Sequence, residues 1–321
     1  MSFVLASLAG LVAQIPAGYL HSVALFGKDY VRVEDWARAN HFQLSWLVKN
    51  QELQASNGSA KIIFSVNSAK ISINGVNAWL SAPIALKDGG LFIAPLDLTK
   101  TVQPLVAPEK KTRRGAIRTI CLDPGHGGKD PGNEEGARQE KKYTLLLAEE
   151  VRALLVKAGF SVKLTRTTDS FVDRPVRPEI ARRSQADLFV SLHYNSESVA
   201  AHEAKGMEVY CLTPARTSST NAGGEGASSG DCAGNRNDSK NVLLAYQLQK
   251  SLVRNLGTED RGVRRARFEV LRMAEMPAVL IEGGFMSHPG ESKKIYDPGH
   301  RRQMAQAIVE GILAYRRLVE K

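Results

Sequence analysis

The chain has 321 residues, of which 43% are hydrophobic and 24% charged, and this ordinary globular composition excludes a disordered or fibrous protein. Its length is large for a single hydrophobic core and fits two domains, one of about 200 residues. The formal net charge of +10 would suit an acidic polymer, anionic lipid or nucleic acid as a partner. Because no basic motif is interleaved with aromatic side chains, we predict no nucleic-acid partner.

An apolar run extends from Phe3 to Ala13. It has the length of the hydrophobic region of a signal peptide and is too short to span a bilayer comfortably. No basic residue precedes it and no convincing small-x-small cleavage site follows, so an unusual export signal and a mis-assigned start codon both fit. We predict an export segment over residues 1–27. No other segment has the length and apolarity of a membrane span, so we predict no stable membrane insertion.

Residues 28–105 have the pattern of a small β-rich α+β module. Ile71 and Ile73 alternate with polar neighbours before Asn74-Gly75, a strong signal for a two-residue hairpin. One short helix is predicted over Val33–Asn40, ahead of these strands.

The same module contains a second turn at 88–90 and two longer motifs, Asn-Gly-x-x-x-Trp-Leu-x-x-Pro and Gly-Gly-Leu-Phe-Ile-Ala-Pro-Leu. These motifs resemble the small N-terminal domain of copper amine oxidases, related copies of which are accessory modules of exported bacterial proteins. The segment has no cluster of metal-ligand residues, so the resemblance implies no copper. Residues 106–115 contain Pro108 and a basic run, which favours an extended linker, and we predict the domain boundary there.

From residue 116 onward strands and helices alternate, which predicts an α/β domain over 116–321 with a mixed, largely parallel sheet flanked by helices. Short apolar segments indicate strands, at Ile117–Leu122, Val162–Thr165, Ala186–Leu192, Met207–Cys211 and Ala278–Ile281. Apolar residues at helical spacing indicate helices, at Tyr143–Ala158, Leu244–Leu256 and Met304–Val319.

A long segment between the fourth strand and the second helix, residues 213–241, is rich in Ser, Gly, Asn and Ala without periodicity. A loop this long in a compact domain is usually functional or disordered, and we predict a loop at the rim of the active site. The three cysteines are too few for a disulfide framework. Cys121 belongs to an apolar run, whereas Cys211 and Cys232 could pair in an oxidising compartment, and we favour that bridge.

Four polar residues follow the predicted strands in positions where they could meet. His126 lies in Asp-Pro-Gly-His-Gly-Gly past the first strand, and His193 and Glu282 directly follow two others. Glu140 begins the helix that returns from the first of these loops. Ligands bind outside the carboxyl ends of strands in open α/β sheets, so we expect all four on one edge. His126, Glu140 and His193 together supply two imidazoles and one carboxylate, a set that zinc uses when it keeps one position open for water.

Two of these residues also have a plain structural explanation. His193 could be a core histidine satisfied by a hydrogen bond. Glu140 could be a helix-start carboxylate favoured by the helix dipole, and the nearby Glu134 and Glu135 compete with it as a ligand.

The candidate residues lie within five motifs, at Asp123–Asp130, Glu140-Lys141, Leu164–Arg166, Ala186–Asn195 and Pro277–Phe285. In this order and spacing, across about residues 116–319, the motifs resemble the zinc-dependent N-acetylmuramoyl-L-alanine amidases of the Amidase_3 family. Carried over by position, the resemblance implies that the zinc ligands are His126, Glu140 and His193 and that the catalytic glutamate is Glu282. It also implies that peptidoglycan is the substrate and that the protein is exported, periplasmic or cell-wall associated. The oligomeric state is left open.

The chemistry expected of Glu282 depends on the metal. Zinc can lower the pKa of a bound water to about 7, and Glu282 would accept the proton and later deliver it to the leaving amine. The resemblance implies that the amide between the lactyl group of N-acetylmuramic acid and L-alanine is cleaved. Asn195 and Arg166 would then be supporting groups. Alternatively, Glu282 could be a buried acid paired with an arginine, such as Arg166 or Arg183.

Three other functions fit the same residues. Two histidines and a carboxylate also bind non-haem iron in oxygenases, although those sites usually lie in β-barrels. A second alternative is a zinc peptidase that cuts within the stem peptide of the wall. The third is a non-catalytic wall-binding protein, which the adaptor-like N-terminal module would suit.

Overall fold

A computed structural model describes residues 20–109, 116–198, 202–221, 226 and 230–320. Its strands are β1 Ser22–Leu25, β2 Lys28–Arg32, β3 Gln43–Val48, β4 Glu52–Ser56, β5 Lys61–Ser65, β6 Lys70–Ile73, β7 Val76–Trp79, β8 Ala85–Lys87, β9 Gly90–Ile93, β10 Thr119–Pro124, β11 Glu134–Glu135, β12 Arg138–Gln139, β13 Ser161–Leu164, β14 Leu188–Asn195, β15 Met207–Leu212, β16 Asp260–Ala266 and β17 Ala278–Phe285. Its α-helices are α1 Val33–Ala39, α2 Pro95–Asp97, α3 Gln103–Val106, α4 Glu140–Lys157, α5 Val176–Arg183, α6 Asp238–Leu256, α7 Glu269–Arg272, α8 Pro289–Tyr296 and α9 Pro298–Val319. A π-helical turn spans Leu98–Val102 and a 3₁₀ turn spans Ala233–Asn237.

The second half of the chain folds around strands in the order β13-β10-β14-β17-β15-β16. The first four of these strands run parallel, β15 runs antiparallel to β17, and β16 runs parallel to β15. Helices α4, α6 and α9 pack on one face of this sheet and α5 and α7 on the other. The predicted mixed, largely parallel sheet flanked by helices is therefore confirmed.

Strand β10 shows how an apolar sequence fills both faces of this sheet. Ile120 and Leu122 join the large hydrophobic cluster that contains residues of α4, α6 and α9, whereas Cys121 joins the smaller cluster with α5 and α7. Successive strand residues point to opposite faces, so a continuous apolar run is buried on both. Helix α4 packs against the first face through buried residues at helical spacing, including Leu147 and Val151.

The first half of the chain is β-rich, as predicted. A four-stranded antiparallel sheet has the order β1-β2-β9-β8, and strands β3 to β7 form an antiparallel meander. The predicted hairpin joins β6 to β7, and Asn74 and Gly75 both have the positive φ that this turn requires. The predicted helix is α1, and the turn at 88–90 joins β8 to β9. The resemblance to the copper amine oxidase domain stays a prediction.

The meander continues the sheet of the second half, because β7 lies parallel to β16 and the result is one 11-stranded sheet. The backbone N–H of Asn77 donates to Asp260 Oδ2 at 2.8 Å, and Asn77 Nδ2 donates to the carbonyl of Asp260 at 2.9 Å. The hydroxyl of Tyr246 in α6 donates to the carbonyl of Ile73 at 2.7 Å. One hydrophobic cluster runs through both halves.

The predicted boundaries are only partly covered by the described residues. Most of the predicted export segment, residues 1–19, lies outside them, and the remainder includes β1. Residues 110–115 of the predicted linker also lie outside, so the division of the chain into domains stays a prediction. Within the described ranges, no helix combines the length and the apolarity needed to cross a bilayer.

All three cysteines are free, so the favoured Cys211–Cys232 bridge is wrong. Cys211 is buried in the large cluster, whereas Cys232 packs against the smaller cluster on the other face of the sheet. Two side chains on opposite faces of a sheet cannot meet the short Cβ–Cβ distance that a disulfide needs.

We expect the substitution Asp260→Ala to destabilise the junction between the two halves. It removes the acceptor of three donors, which are the backbone N–H groups of Asn77 and Gly262 and the Nε2 of Gln249. Unsatisfied donors should lower the free energy of unfolding by about 2 kcal/mol, measured by urea denaturation. The exposed Asp29 of β2 provides the control, since Asp29→Ala should change stability by less than about 0.5 kcal/mol. Equal stability of the two variants would contradict the role given to Asp260.

Candidate active site

The carboxyl ends of β10, β14 and β17 lie side by side and form the edge at which the four predicted residues meet. His126 lies two residues beyond the end of β10, and Glu140 is the first residue of α4. His193 and Glu282 are directly opposite each other in the parallel pair β14–β17. Both strands run further than predicted, to Asn195 and Phe285, so these two side chains lie within the paired strands.

Three of the four residues form a compact cluster. His126 Nε2 lies 3.1 Å from Glu140 Oε2, and His193 Nδ1 lies 3.0 Å from Glu140 Oε1. One donor atom from each residue falls within 4.8 Å of the others, which fits a small divalent cation held by two nitrogens and one oxygen. The competing Glu134 and Glu135 lie in the exposed strand β11, where Glu134 accepts a hydrogen bond from Gln139.

The carboxylate of Glu140 is buried and held on both oxygens. The backbone N–H of Tyr194 donates to Oε1 at 3.0 Å, and the backbone N–H and Nδ2 of Asn133 both donate to Oε2 at 2.9 Å. Burial alone would raise the pKa of Glu140, but hydrogen bonds with His126 and His193 hold that pKa well below its usual range. Glu140 is therefore an anion at neutral pH.

The orientation of His126 depends on Asp130, which the sequence reasoning missed. His126 Nδ1 lies 2.9 Å from Asp130 Oδ2, and this contact leaves Nε2 to face Glu140. Burial would lower the pKa of His126, but Glu140 and Asp130 together raise it. The sequence signal that could have identified Asp130 is its position, four residues after a histidine in a glycine-rich run. Asn133 was also missed, and its role depends on a loop conformation that its sequence does not specify.

Two glycines leave the space in which these side chains meet. A Cβ at Gly125 would lie 2.2 Å from His193 Cε1, and a Cβ at Gly132 would lie 2.6 Å from His126 Cδ2 and 2.7 Å from Glu140 Oε2. A side chain at either position would displace the cluster. Close approach thus explains the first glycine of the Asp-Pro-Gly-His-Gly-Gly motif and also Gly132 beyond it.

Two buried arginines hold the loop that carries His126. Arg166 donates to the carbonyls of Pro124 at 3.0 Å and Gly125 at 2.8 Å. Arg177 donates to the carbonyl of His126 at 2.9 Å and pairs with the buried Asp123 at 2.7 Å. Arg166 is therefore a supporting group, as predicted. Arg177 was missed because its contacts with Asp123, Pro124 and His126 span more than 50 residues of sequence.

Glu282 has a different environment from Glu140. Its Oε2 atom is buried and has no hydrogen-bond partner among the described residues. Burial, and after it the charges of Glu140 and Glu208, raise the pKa of Glu282 well above its usual value. The alternative of an arginine-paired acid does not hold for either predicted partner. Arg166 binds backbone carbonyls, and Arg183 pairs with Glu179 at 2.7 Å.

All four residues line one open cleft of about 840 Å³. Lys129, Phe171 and Arg174 lie on its wall, and the Lys129 ammonium lies 4.5 Å from the centre of the Phe171 ring. No described residue of the predicted rim loop lines this cleft. Several described residues of 213–241 line a separate cavity of about 550 Å³ together with residues of the first half, including Lys100.

Comparisons with known proteins identify the family of this chain. The family model described as N-acetylmuramoyl-L-alanine amidase, Amidase_3, matches residues 120–314. Similar curated proteins include N-acetylmuramoyl-L-alanine amidase AmiC of Neisseria meningitidis serogroup B, 35% identical over 63% of this chain and 54% of that protein. Another is AmiA of Escherichia coli K12, 32% identical over 73% of this chain and 88% of that protein.

Solved structures give the same result. The amidase of Clostridium difficile 630 aligns with a TM-score of 0.52 and 32% identity, covering 63% of this chain and 97% of that one. AmiC2 of Nostoc punctiforme aligns with a TM-score of 0.52 and 32% identity, covering 63% and 98%. The matches span little more than half the length of the first curated relatives, 54% for AmiC of Neisseria and 58% for the probable cell wall amidase LytH of Staphylococcus saprophyticus. The family match nevertheless covers more than half of this chain, which therefore belongs to the Amidase_3 family of N-acetylmuramoyl-L-alanine amidases.

Proposed function

We propose that the protein is a peptidoglycan hydrolase that cleaves the amide bond between N-acetylmuramic acid and the L-alanine of the stem peptide. The observation that carries this proposal is the cluster of His126, Glu140 and His193 in one cleft with the unpartnered carboxylate of Glu282. Membership of the Amidase_3 family supports the choice of substrate.

The cofactor in this proposal is a zinc ion, which the side chains of His126, Glu140 and His193 would hold. Zinc bound by such a set supplies Lewis-acid activation of water and of the substrate carbonyl. Asp130 keeps His126 in the orientation that binding needs, and Asn133 keeps the carboxylate of Glu140 in place.

Glu282 is the proposed general base and acid. Its free Oε2 atom would accept the proton of the attacking water and then release it to the leaving amine. A raised pKa suits both steps, because the group must hold the proton between them and give it up near neutral pH. Asn195 is half-buried at the same edge and donates to Glu208 at 2.9 Å, which suits a supporting role.

The proposal includes the cell wall as the partner and the site of action. A net charge of +10 favours association with an acidic wall polymer, and an enzyme acting on that polymer has to be exported to the periplasm or the wall. The proposal also keeps the predicted role of the β-rich first half, residues 28–105, as an accessory module.

The first test is the set of products released from purified peptidoglycan and analysed by mass spectrometry. Wild type should release free stem peptides from intact glycan strands, and a chelator should abolish the release. Glu282→Gln should lower the rate about 10²- to 10⁴-fold while zinc content stays unchanged. His126→Ala should lose both zinc and activity.

Each alternative function predicts a different result in this experiment. Cleavage within the stem peptide would indicate a zinc peptidase, and a strict need for oxygen would indicate iron. Wall binding that survives Glu282→Gln, with no lysis by wild type, would indicate a binding protein. Equal release of stem peptides by wild type and His126→Ala would contradict the proposed function.

A second test concerns the space left by Gly125. Gly125→Ala should weaken binding of Zn²⁺ to the metal-free protein by about 10- to 100-fold, because the new Cβ would displace the ring of His193. Calorimetric titration with zinc chloride measures this change. Gly58→Ala is the matched control, since Gly58 has no atom within 4 Å of an added Cβ and should bind zinc like wild type. Unchanged affinity in Gly125→Ala would argue against His193 as a ligand.

A further inference from the structure

A second buried carboxylate lies directly opposite Glu282. Glu208 in β15 pairs with Glu282 in the antiparallel register of β15 and β17, and its side chain is only 3% exposed. Like charges directly opposite each other in a sheet are destabilising. The presence of Glu208 at this position therefore requires compensation.

Two arginines of β16 provide that compensation. Arg261 Nε lies 3.0 Å from Glu208 Oε2, and Arg264 Nε lies 2.7 Å from the same atom. The other oxygen, Oε1, accepts a hydrogen bond from the hydroxyl of Tyr210 at 3.0 Å. The carboxylate of Glu208 is thus held on both sides in one position.

On the cleft side, Glu208 holds the end of β14. Asn195 Nδ2 donates to Glu208 Oε1 at 2.9 Å, and the backbone N–H of Met286 donates to the carbonyl of Asn195 at 2.8 Å. The register between β14 and β17 shifts between His193 and Asn195. Glu208 therefore anchors an irregular strand end immediately beyond the residues that carry the chemistry.

The first half of the chain reaches the same arginines through Trp79. The guanidinium of Arg264 lies 4.4 Å from the centre of the Trp79 ring, and Trp79 Nε1 donates to the carbonyl of Arg261 at 2.8 Å. An aromatic face and a cation attract each other, most strongly for tryptophan. Both contacts cross the junction between β7 and β16.

We propose that the first half of the chain helps to position the active site, through contacts that run from Trp79 to Arg261 and Arg264, then to Glu208 and Asn195. Glu208 is a positioning residue in this scheme and does not touch the reacting atoms. The inference rests on the proposed amidase function for its kinetic readout. Its structural readout, the ordering of the strand ends at Asn195 and Met286, does not depend on that function.

The expected consequence is a loss of turnover rather than of substrate affinity. Without the Trp79 ring, Arg264 loses its aromatic partner and the carbonyl of Arg261 loses a donor, so Glu208 is less firmly held. The end of β14 then becomes more mobile, and small displacements of reacting groups reduce rate strongly.

The experiment compares four variants of the full chain with wild type. Trp79→Ala removes both contacts, and Glu208→Gln keeps the shape of the side chain but removes the ion pairs. Trp46→Ala is the matched control, because Trp46 is a half-buried tryptophan of the same meander in the distant strand β3. Kinetics on peptidoglycan fragments give kcat and KM, and hydrogen exchange reports on the amides of residues 194–196 and 285–286.

Trp79→Ala and Glu208→Gln should each lower kcat by about tenfold or more with KM within about twofold of wild type, and exchange at both strand ends should accelerate. Trp79→Phe, which keeps a ring for Arg264, should recover part of kcat. Trp46→Ala should leave kcat and exchange at these sites unchanged, even if it lowers the unfolding midpoint. Exchange in Trp79→Ala and Glu208→Gln equal to that of Trp46→Ala would overturn the proposal. If wild type released no stem peptides, the proposed function would fail, and the exchange data would still decide the positioning role.

Discussion

The burial of one carboxylate between two imidazoles is the constraint on which the rest of the site depends. An isolated buried carboxylate costs several kcal/mol, so Glu140 needs partners on every side. His126 and His193 supply two of them, and the loop before α4 supplies the others through Asn133. That loop can approach closely enough only because Gly132 has no side chain. The loop before α4 thus satisfies part of the buried carboxylate of Glu140.

The convergence of the four residues was predictable because it follows from the order of strands and helices. Parallel strands bring their carboxyl ends to one edge, and His126, His193 and Glu282 each follow an apolar strand segment. The parallel register of β14 and β17 then places His193 directly beside Glu282. The extension of β14 and β17 past the predicted ends was not predictable from hydrophobicity, because the added positions, His-Tyr-Asn in β14 and Glu-Gly-Gly-Phe in β17, form no apolar run. Strands end where their backbone pairing ends, and the periodicity of hydrophobic residues in a sequence gives no information about that pairing.

The residues that escaped prediction have partners far away in the sequence. Glu208 binds arginines 53 or more residues later, and Asn77 contacts Asp260 across 183 residues. A single sequence contains no local pattern for such contacts, so Glu208 reads as one polar position in a strand. For the same reason the basic, proline-containing segment at 106–115 predicted a linker and a domain boundary and gave no sign that the halves share a sheet. Asp130 and Asn133 are exceptions, since their partners His126 and Glu140 lie only four and seven residues away.

The shared sheet and the contacts of Trp79 require separate explanations. An edge strand such as β16 exposes unpaired backbone groups, and covering it with β7 is favourable whatever the function. Covering alone only moves the exposed edge to β3, where Leu47 and Val48 remain 47% and 46% exposed. Backbone pairing with β7 would cover the edge of β16 whatever side chains β7 carried. The contact between the Trp79 ring and Arg264 is not needed to cover the edge. It supports the cation that neutralises Glu208 opposite Glu282. The side chains at the junction, rather than the sheet itself, therefore connect the first half of the chain to the chemistry.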